Sequence, residues 1–179
     1  NSIRFDESIS FGEDHLFSLQ YFCRVSSICS SSTTGYIYFN SDRESLTSKH
    51  IKYDKMQYYV LNSYLLRNKI IEQHKIIDVN FSKFICQEFI RFYILSINSI
   101  FDKRSNLVEK NKLDLFNKSV NYIHSNKKLF SFHLTNPYFE FYRICLVSAS
   151  PAKFQISFFL CKFYNYANLL RKQIKKITN

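Results

Sequence analysis

Apolar side chains recur every three or four residues along most of this chain. This spacing places them on one face of an α-helix. Because the chain contains only two Gly and two Pro, few residues interrupt such segments. The pattern predicts helices near residues 13–24, 49–74, 80–102, 106–126, 134–148 and 151–177. The second of the long apolar stripes comprises Phe81, Phe84, Ile85, Phe89, Phe92, Ile97 and Ile100.

The first part of the chain departs from this helical pattern. The aromatic and branched run Gly35-Tyr36-Ile37-Tyr38-Phe39 is β-prone, and Val25–Cys29 fits a shorter strand. We therefore predict a mostly α protein: a small α/β part at residues 1–49, followed by an all-α extension at residues 50–179. Helix-start signals in the extension are Ser48, Asn136-Pro137 and Ser150-Pro151.

The composition permits a buried core, and the charge is unevenly distributed. Hydrophobic residues make up 46% of the chain, and the formal net charge is +11. Residues 1–50 contain four Lys/Arg and six Asp/Glu, whereas residues 51–179 contain 21 and 8. A basic second part indicates an anionic partner, either a phospholipid surface, nucleic acid or an acidic protein. Because no zinc-finger or RNA-recognition signature is present, nucleic acid is the least favoured of these.

The cysteines and histidines do not predict a metal site. The five cysteines are scattered, without a Cys-x-x-Cys pair, as expected for free thiols in a reducing compartment. The five histidines have no ligand spacing, so zinc is not expected. No segment reads as a signal peptide or as the about 20 apolar residues of a membrane span. We therefore expect a cytoplasmic location.

An acidic pair at a loop-to-helix junction carries the strongest chemical signal. Gly12-Glu13-Asp14 precedes the apolar residues Leu16, Phe17 and Leu19, so both carboxylates fall in the first turn of a helix. The helix dipole stabilises their charged forms there. A carboxylate in this place suits a general base. The alternative is a helix start with no chemistry.

Three phrases in order give this region a family resemblance. They are Phe5-Asp6-Glu7-Ser8-Ile9-Ser10-Phe11-Gly12-Glu13-Asp14-His15-Leu16-Phe17, Tyr36-Ile37-Tyr38 and Ser45-Leu46-Thr47. Together they resemble the acceptor-side half of family 2 glycosyltransferases, which have the GT-A fold. The resemblance covers roughly the first quarter of the chain.

This resemblance implies that Asp14 is the catalytic base of an inverting sugar transfer. It would deprotonate an acceptor hydroxyl, which attacks C1 of a nucleotide-sugar, while Glu13 orients the acceptor or the helix start. The donor would be the nucleotide-sugar, and the acceptor a glycan or a lipid-linked glycan in surface polysaccharide synthesis. The substrate-binding residues implied are Gly12, His15, Tyr38, Arg43, Ser45 and Thr47.

Two departures from the family pattern change the expected site. Relatives often have Arg directly after Tyr-x-Tyr, where this chain has Phe39, and Arg43 is a candidate replacement. The family also holds a divalent metal, Mg or Mn, on an Asp-x-Asp motif, which is absent here. We therefore expect the metal ligands to lie outside this chain. The chain is then the C-terminal part of a longer enzyme and is inactive alone.

The last predicted helix suggests a peripheral membrane contact. Phe163, Tyr166, Leu170 and Ile174 share one face, while basic residues of the segment 171–176 point elsewhere. A basic amphipathic helix can lie on an anionic membrane, although an ordinary packed helix has the same pattern. Two other interpretations remain open for the whole chain. One is a basic helical binding module for a membrane surface or nucleic acid, and the other is a purely structural helical domain.

Overall fold

The computed structural model describes residues 3–9, 11–27, 51–148 and 163. Over these residues the chain is helical or irregular and contains no strand, which confirms the mostly α prediction. The predicted strand at 35–39 and nearly all of the predicted helix at 151–177 lie outside the described residues, as does the predicted boundary at 49/50. The helices are α1 Glu13–Phe22, α2 Tyr53–Gln73, α3 Val79–Ile100, α4 Glu109–Ser125 and α5 Pro137–Ser148.

A short, well-capped connection joins α2 to α3. Lys75 adopts the left-handed conformation with φ of 50°, and the N–H of Ile76 donates to the carbonyl of Ile71 at 3.0 Å. This is the hydrogen-bond pattern of a Schellman ending. Three residues later Asp78 caps α3 and accepts hydrogen bonds from the N–H groups of two residues in its first turn. The two helices therefore pack as neighbours in an antiparallel hairpin.

The structure corrects several predicted boundaries. The cap residue of α2 is Lys52 rather than Ser48, because Lys52 has extended backbone with ψ of 146°. Residues 25–27 are irregular, so the prediction of a strand at Val25–Cys29 is wrong over the residues that the structure describes. Helix α5 begins at Pro137, because Asn136 Oδ1 accepts from the N–H of Tyr138 at 2.9 Å.

Helix α3 lies at the centre of the core. Its buried residues face α2, α4 and α5, and four isoleucines are fully enclosed. They are Ile90, Ile94, Ile97 and Ile100. The first turn of the predicted apolar stripe is different, because Phe81 and Phe84 are exposed. Periodicity therefore located the apolar face, whereas burial begins only at Ile85.

Small polar residues allow the helices to approach closely. Ser119 of α4 is fully buried and its hydroxyl lies 2.7 Å from the Tyr53 hydroxyl of α2. Ser96 of α3 is also fully buried and accepts from Gln57 Nε2 of α2 at 2.5 Å. Each buried hydroxyl therefore has a partner, as the cost of burying an unpaired polar group requires.

A partly buried ion pair joins α5 to the segment that precedes it. The Arg143 guanidinium donates from Nε to Glu140 Oε2 at 2.8 Å and from Nη1 to the Phe130 carbonyl at 3.0 Å. The same carboxylate accepts from the N–H of Leu134 at 2.8 Å and contacts His133 Nδ1 at 2.9 Å. The hydrogen bond from Arg143 holds the pKa of Glu140 at about 2, below its ordinary 4.5, although burial opposes this effect.

We predict that Leu146→Ala lowers the free energy of unfolding by about 2–5 kcal/mol, because it opens a cavity in the core. Leu146 is 1% exposed. The matched control is Leu65→Ala, because Leu65 is 63% exposed on α2 and its truncation should cost no more than about 0.5 kcal/mol. Chemical denaturation measures both. Equal losses in the two variants would contradict the packing described here.

We predict that Glu140→Gln lowers the free energy of unfolding at neutral pH by about 1.5–3 kcal/mol, the contribution of hydrogen bonds to a charged group. Because folding lowers the pKa of Glu140, this contribution is present above pH 4.5 and is lost as the pH falls towards 2. The pH dependence of stability over that window should therefore flatten in the variant. The control is Glu109→Gln, which removes an exposed partner of Lys112. A variant that keeps the wild-type pH profile would refute this role of Glu140.

Candidate functional site

The backbone before α1 turns sharply at Gly12. This residue has φ of 72°, in the left-handed region, and its carbonyl accepts the N–H of Leu16 at 2.9 Å. A side chain at this position would also meet the ring of Tyr59, because the Tyr59 ring carbons lie where a Cβ would be. Gly12 therefore serves two purposes: it permits the turn and it lets α2 come close.

The acidic pair lies in the first turn of α1, as the sequence predicts. The Asp14 side chain is exposed, and its Oδ1 accepts the N–H of His15 at 2.7 Å. The Asp14 carbonyl accepts the Ser18 hydroxyl at 2.9 Å. Glu13 is the first residue of the helix.

The His15 imidazole is held at both of its nitrogens by α2. Its Nδ1 lies 2.9 Å from the Tyr59 hydroxyl, and its Nε2 lies 3.3 Å from Nη2 of Arg67. A guanidinium can only donate, so Nε2 accepts and Nδ1 carries the proton that is donated to Tyr59. Burial lowers the pKa of His15 below its ordinary 6.5, and the charge of Arg67 adds to this effect while Asp14 opposes it. Both observations favour a neutral ring.

Tyr59 joins three parts of the fold. It is 5% exposed, and its ring makes edge contacts with Phe11 before α1 and with Phe92 of α3, at centroid distances of 5.1 and 5.8 Å. Its hydroxyl reaches His15 at the edge of this apolar environment. Such a ring has few alternative orientations, because close packing on several sides leaves little room for movement.

Four charged side chains from three helices act on the Tyr59 hydroxyl. Burial raises the pKa of this phenol, and the charges of Asp14 and Glu88 add to the increase, whereas those of Arg67 and Arg91 oppose it. The Glu88 carboxylate accepts Nη2 of Arg91 at 2.7 Å. Acidic and basic side chains therefore lie close together around the Tyr59 hydroxyl, next to the start of α1.

Four of the predicted site residues lie together in the structure, and the other four are not among the described residues. Gly12, Glu13, Asp14 and His15 form one continuous turn. Tyr38, Arg43, Ser45 and Thr47 lie outside the described residues, so their predicted roles in substrate binding stay predictions.

The sequence does not predict two of the residues that surround this turn. Tyr59 belongs to an aromatic stripe at helical spacing, which predicts a core residue, and it is indeed buried. Nothing in that pattern indicates that its hydroxyl reaches His15. Arg67 is one basic residue among many in the second part of the chain, and only the packing of α2 on α1 distinguishes it.

The described residues contain no group of three or more His, Cys, Asp or Glu side chains that could hold a metal ion. The expectation that Mg or Mn is bound by ligands outside this chain stays a prediction. Cys23, Cys86 and Cys145 are free thiols, as their spacing predicts, and burial raises the pKa of each. Within the same part of the chain, every helix is too short or too polar to cross a membrane.

Comparison of this chain with protein-family models, with curated proteins and with solved structures gives no match.

We predict that Gly12→Ala destabilises the protein by about 1–3 kcal/mol, because a non-glycine residue is strained in the left-handed region. The added methyl group must also displace the Tyr59 ring. The control is Ser18→Ala on the same helix, which should change the free energy of unfolding by no more than about 0.5 kcal/mol. Thermal and chemical denaturation measure both. A Gly12→Ala protein as stable as the control would show that this turn tolerates a side chain.

Proposed function

We propose that this chain is the acceptor side and helical extension of an inverting family 2 glycosyltransferase, with Asp14 as its catalytic base. The observation that carries the proposal is the exposed Asp14 carboxylate in the first turn of α1, directly after the left-handed turn at Gly12. The resemblance of residues 5–17 to the family phrase assigns this carboxylate its chemistry. Its exposure leaves it accessible to an acceptor.

The proposed reaction needs one base and no covalent enzyme intermediate. The acceptor hydroxyl gives its proton to the Asp14 carboxylate, and its oxygen forms a bond to C1 of the donor sugar. The bond between C1 and the diphosphate oxygen breaks, and the nucleoside diphosphate leaves with the electron pair. Attack opposite to the leaving group inverts the configuration at C1. In this proposal the diphosphate-binding half and its Mg or Mn belong to residues outside this chain.

The proposed acceptor is a glycan or a lipid-linked glycan at the cytoplasmic face of a membrane. The excess of basic residues in the second part of the chain supports a location near anionic phospholipid, because basic residues are attracted to such a surface. Surface polysaccharide synthesis is the proposed process.

We expect Asp14→Asn in the full-length protein to lower kcat by about 10²–10⁴-fold, the usual contribution of a general base. Donor affinity should stay close to that of the wild type, because Asp14 acts on the acceptor. Radiolabelled sugar transfer measures kcat, and calorimetry with the nucleotide-sugar measures donor binding.

The matched control is Asp54→Asn, because Asp54 also lies in the first turn of a helix, α2, and is exposed. This variant should transfer sugar at the wild-type rate. Transfer that survives Asp14→Asn would show that Asp14 is not the base. Equal losses in both variants would show that only a general loss of charge had been measured. Salt-dependent binding to anionic vesicles or nucleic acid, with no transfer, would instead favour a basic binding module.

A further inference from the structure

We infer that Tyr59 and Arg67 of α2 are positioning residues, which hold His15 and, through its backbone, the carboxylate of Asp14. This inference rests on the proposed function, because it gives the two residues a role in placing the catalytic base. It also gives the helical extension a part in the reaction. The residues involved are 44 and 52 positions from His15 in the sequence, so only the packing of α2 on α1 joins them.

Two contacts from α2 hold the imidazole ring of His15 in place. The Tyr59 hydroxyl and the Arg67 guanidinium contact opposite nitrogens of His15, at 2.9 and 3.3 Å. Two contacts on opposite sides of a ring fix both its rotation and its tautomer. Tyr59 is itself immobilised between Phe11 and Phe92, so the anchor is rigid.

The backbone of His15 in turn contacts the carboxylate of Asp14. The backbone N–H of His15 donates to Asp14 Oδ1 at 2.7 Å. Since Asp14 is exposed, this hydrogen bond restricts a side chain that would otherwise sample several rotamers. A fixed His15 therefore keeps the carboxylate in one orientation, and misplacing a catalytic group by about 1 Å can cost about 10²-fold in rate.

The contact between His15 and Arg67 requires a neutral imidazole ring. A protonated ring carries hydrogen on Nε2, which can no longer accept from Arg67. Around the ring, Asp14 of α1 favours the protonated form, whereas Arg67 of α2 disfavours it. Glu88 and Arg91 of α3 form a pair close to Tyr59, so their charges largely offset each other there.

The experiment uses two variants with matched controls in the full-length protein. Tyr59→Phe removes only the hydroxyl that contacts His15, and Tyr58→Phe removes the neighbouring hydroxyl, which contacts Asp6 instead. Arg67→Met removes the guanidinium, and Lys69→Met removes an exposed charge two positions further along α2. Circular dichroism establishes that each variant is folded before its rate is measured.

Two readouts are expected to change together. Nitrogen NMR of the wild type should show His15 as the Nδ1–H tautomer. Tyr59→Phe should keep this tautomer, because Arg67 still donates to Nε2, but should shift the Nδ1 resonance, because its N–H loses its hydrogen-bond acceptor. Arg67→Met should give a mixture of tautomers and raise the pKa of His15. In sugar-transfer assays both variants should lower kcat by about 10-fold or more with KM changed less than about twofold. Tyr58→Phe and Lys69→Met should leave the tautomer of His15 and kcat unchanged.

Several results would overturn the inference. They are an Nε2–H tautomer in the wild-type protein, a kcat for Tyr59→Phe equal to that of Tyr58→Phe, or a loss confined to KM. Failure of the proposed function is distinguishable, because transfer would then survive Asp14→Asn while the tautomer of His15 stayed as expected. In that case the catalytic part of the inference fails with it, although the contacts of His15 remain.

Discussion

Burial of α3 by the other helices is the interaction on which the described fold depends. A run of isoleucines that is fully enclosed supplies the apolar area, and helices α2, α4 and α5 supply the covering faces. Removing such area from water is the main favourable contribution to folding, at about 25 cal/mol per Å². Buried serines allow this close approach because each hydroxyl finds a partner. With α3 in place, α2 is fixed, and α2 in turn fixes α1.

Tyr59 connects the candidate site to these helix contacts. Its ring packs on α3, its edge lies against the backbone at Gly12, and its hydroxyl reaches His15. The turn that carries Asp14 is therefore held by residues that lie outside the segment 5–17. In the proposed reaction the Asp14 carboxylate gains from such support, because preorganisation lowers the cost of reaching the reactive geometry.

The helices could be predicted from periodicity because one buried face repeats about every 3.6 residues. Their ends could be predicted less well, since an end depends on local backbone conformation and on what packs against it. Helix α4 illustrates this: it begins at Glu109 rather than near 106, because Asn106 takes a left-handed conformation with φ of 51°. Phe84 illustrates a second limit, because its place in an apolar stripe does not reveal that it is 51% exposed.

The sequence by itself determined the helical class, the apolar faces and the position of Glu13 and Asp14 in the first turn of a helix. These features are local, since each depends on residues within a few positions of one another. Tertiary structure alone decided that Tyr59 and Arg67 contact His15, because their separations of 44 and 52 residues leave no local pattern. Only the packing of two helices, driven by the burial of their apolar faces, brings such residues together.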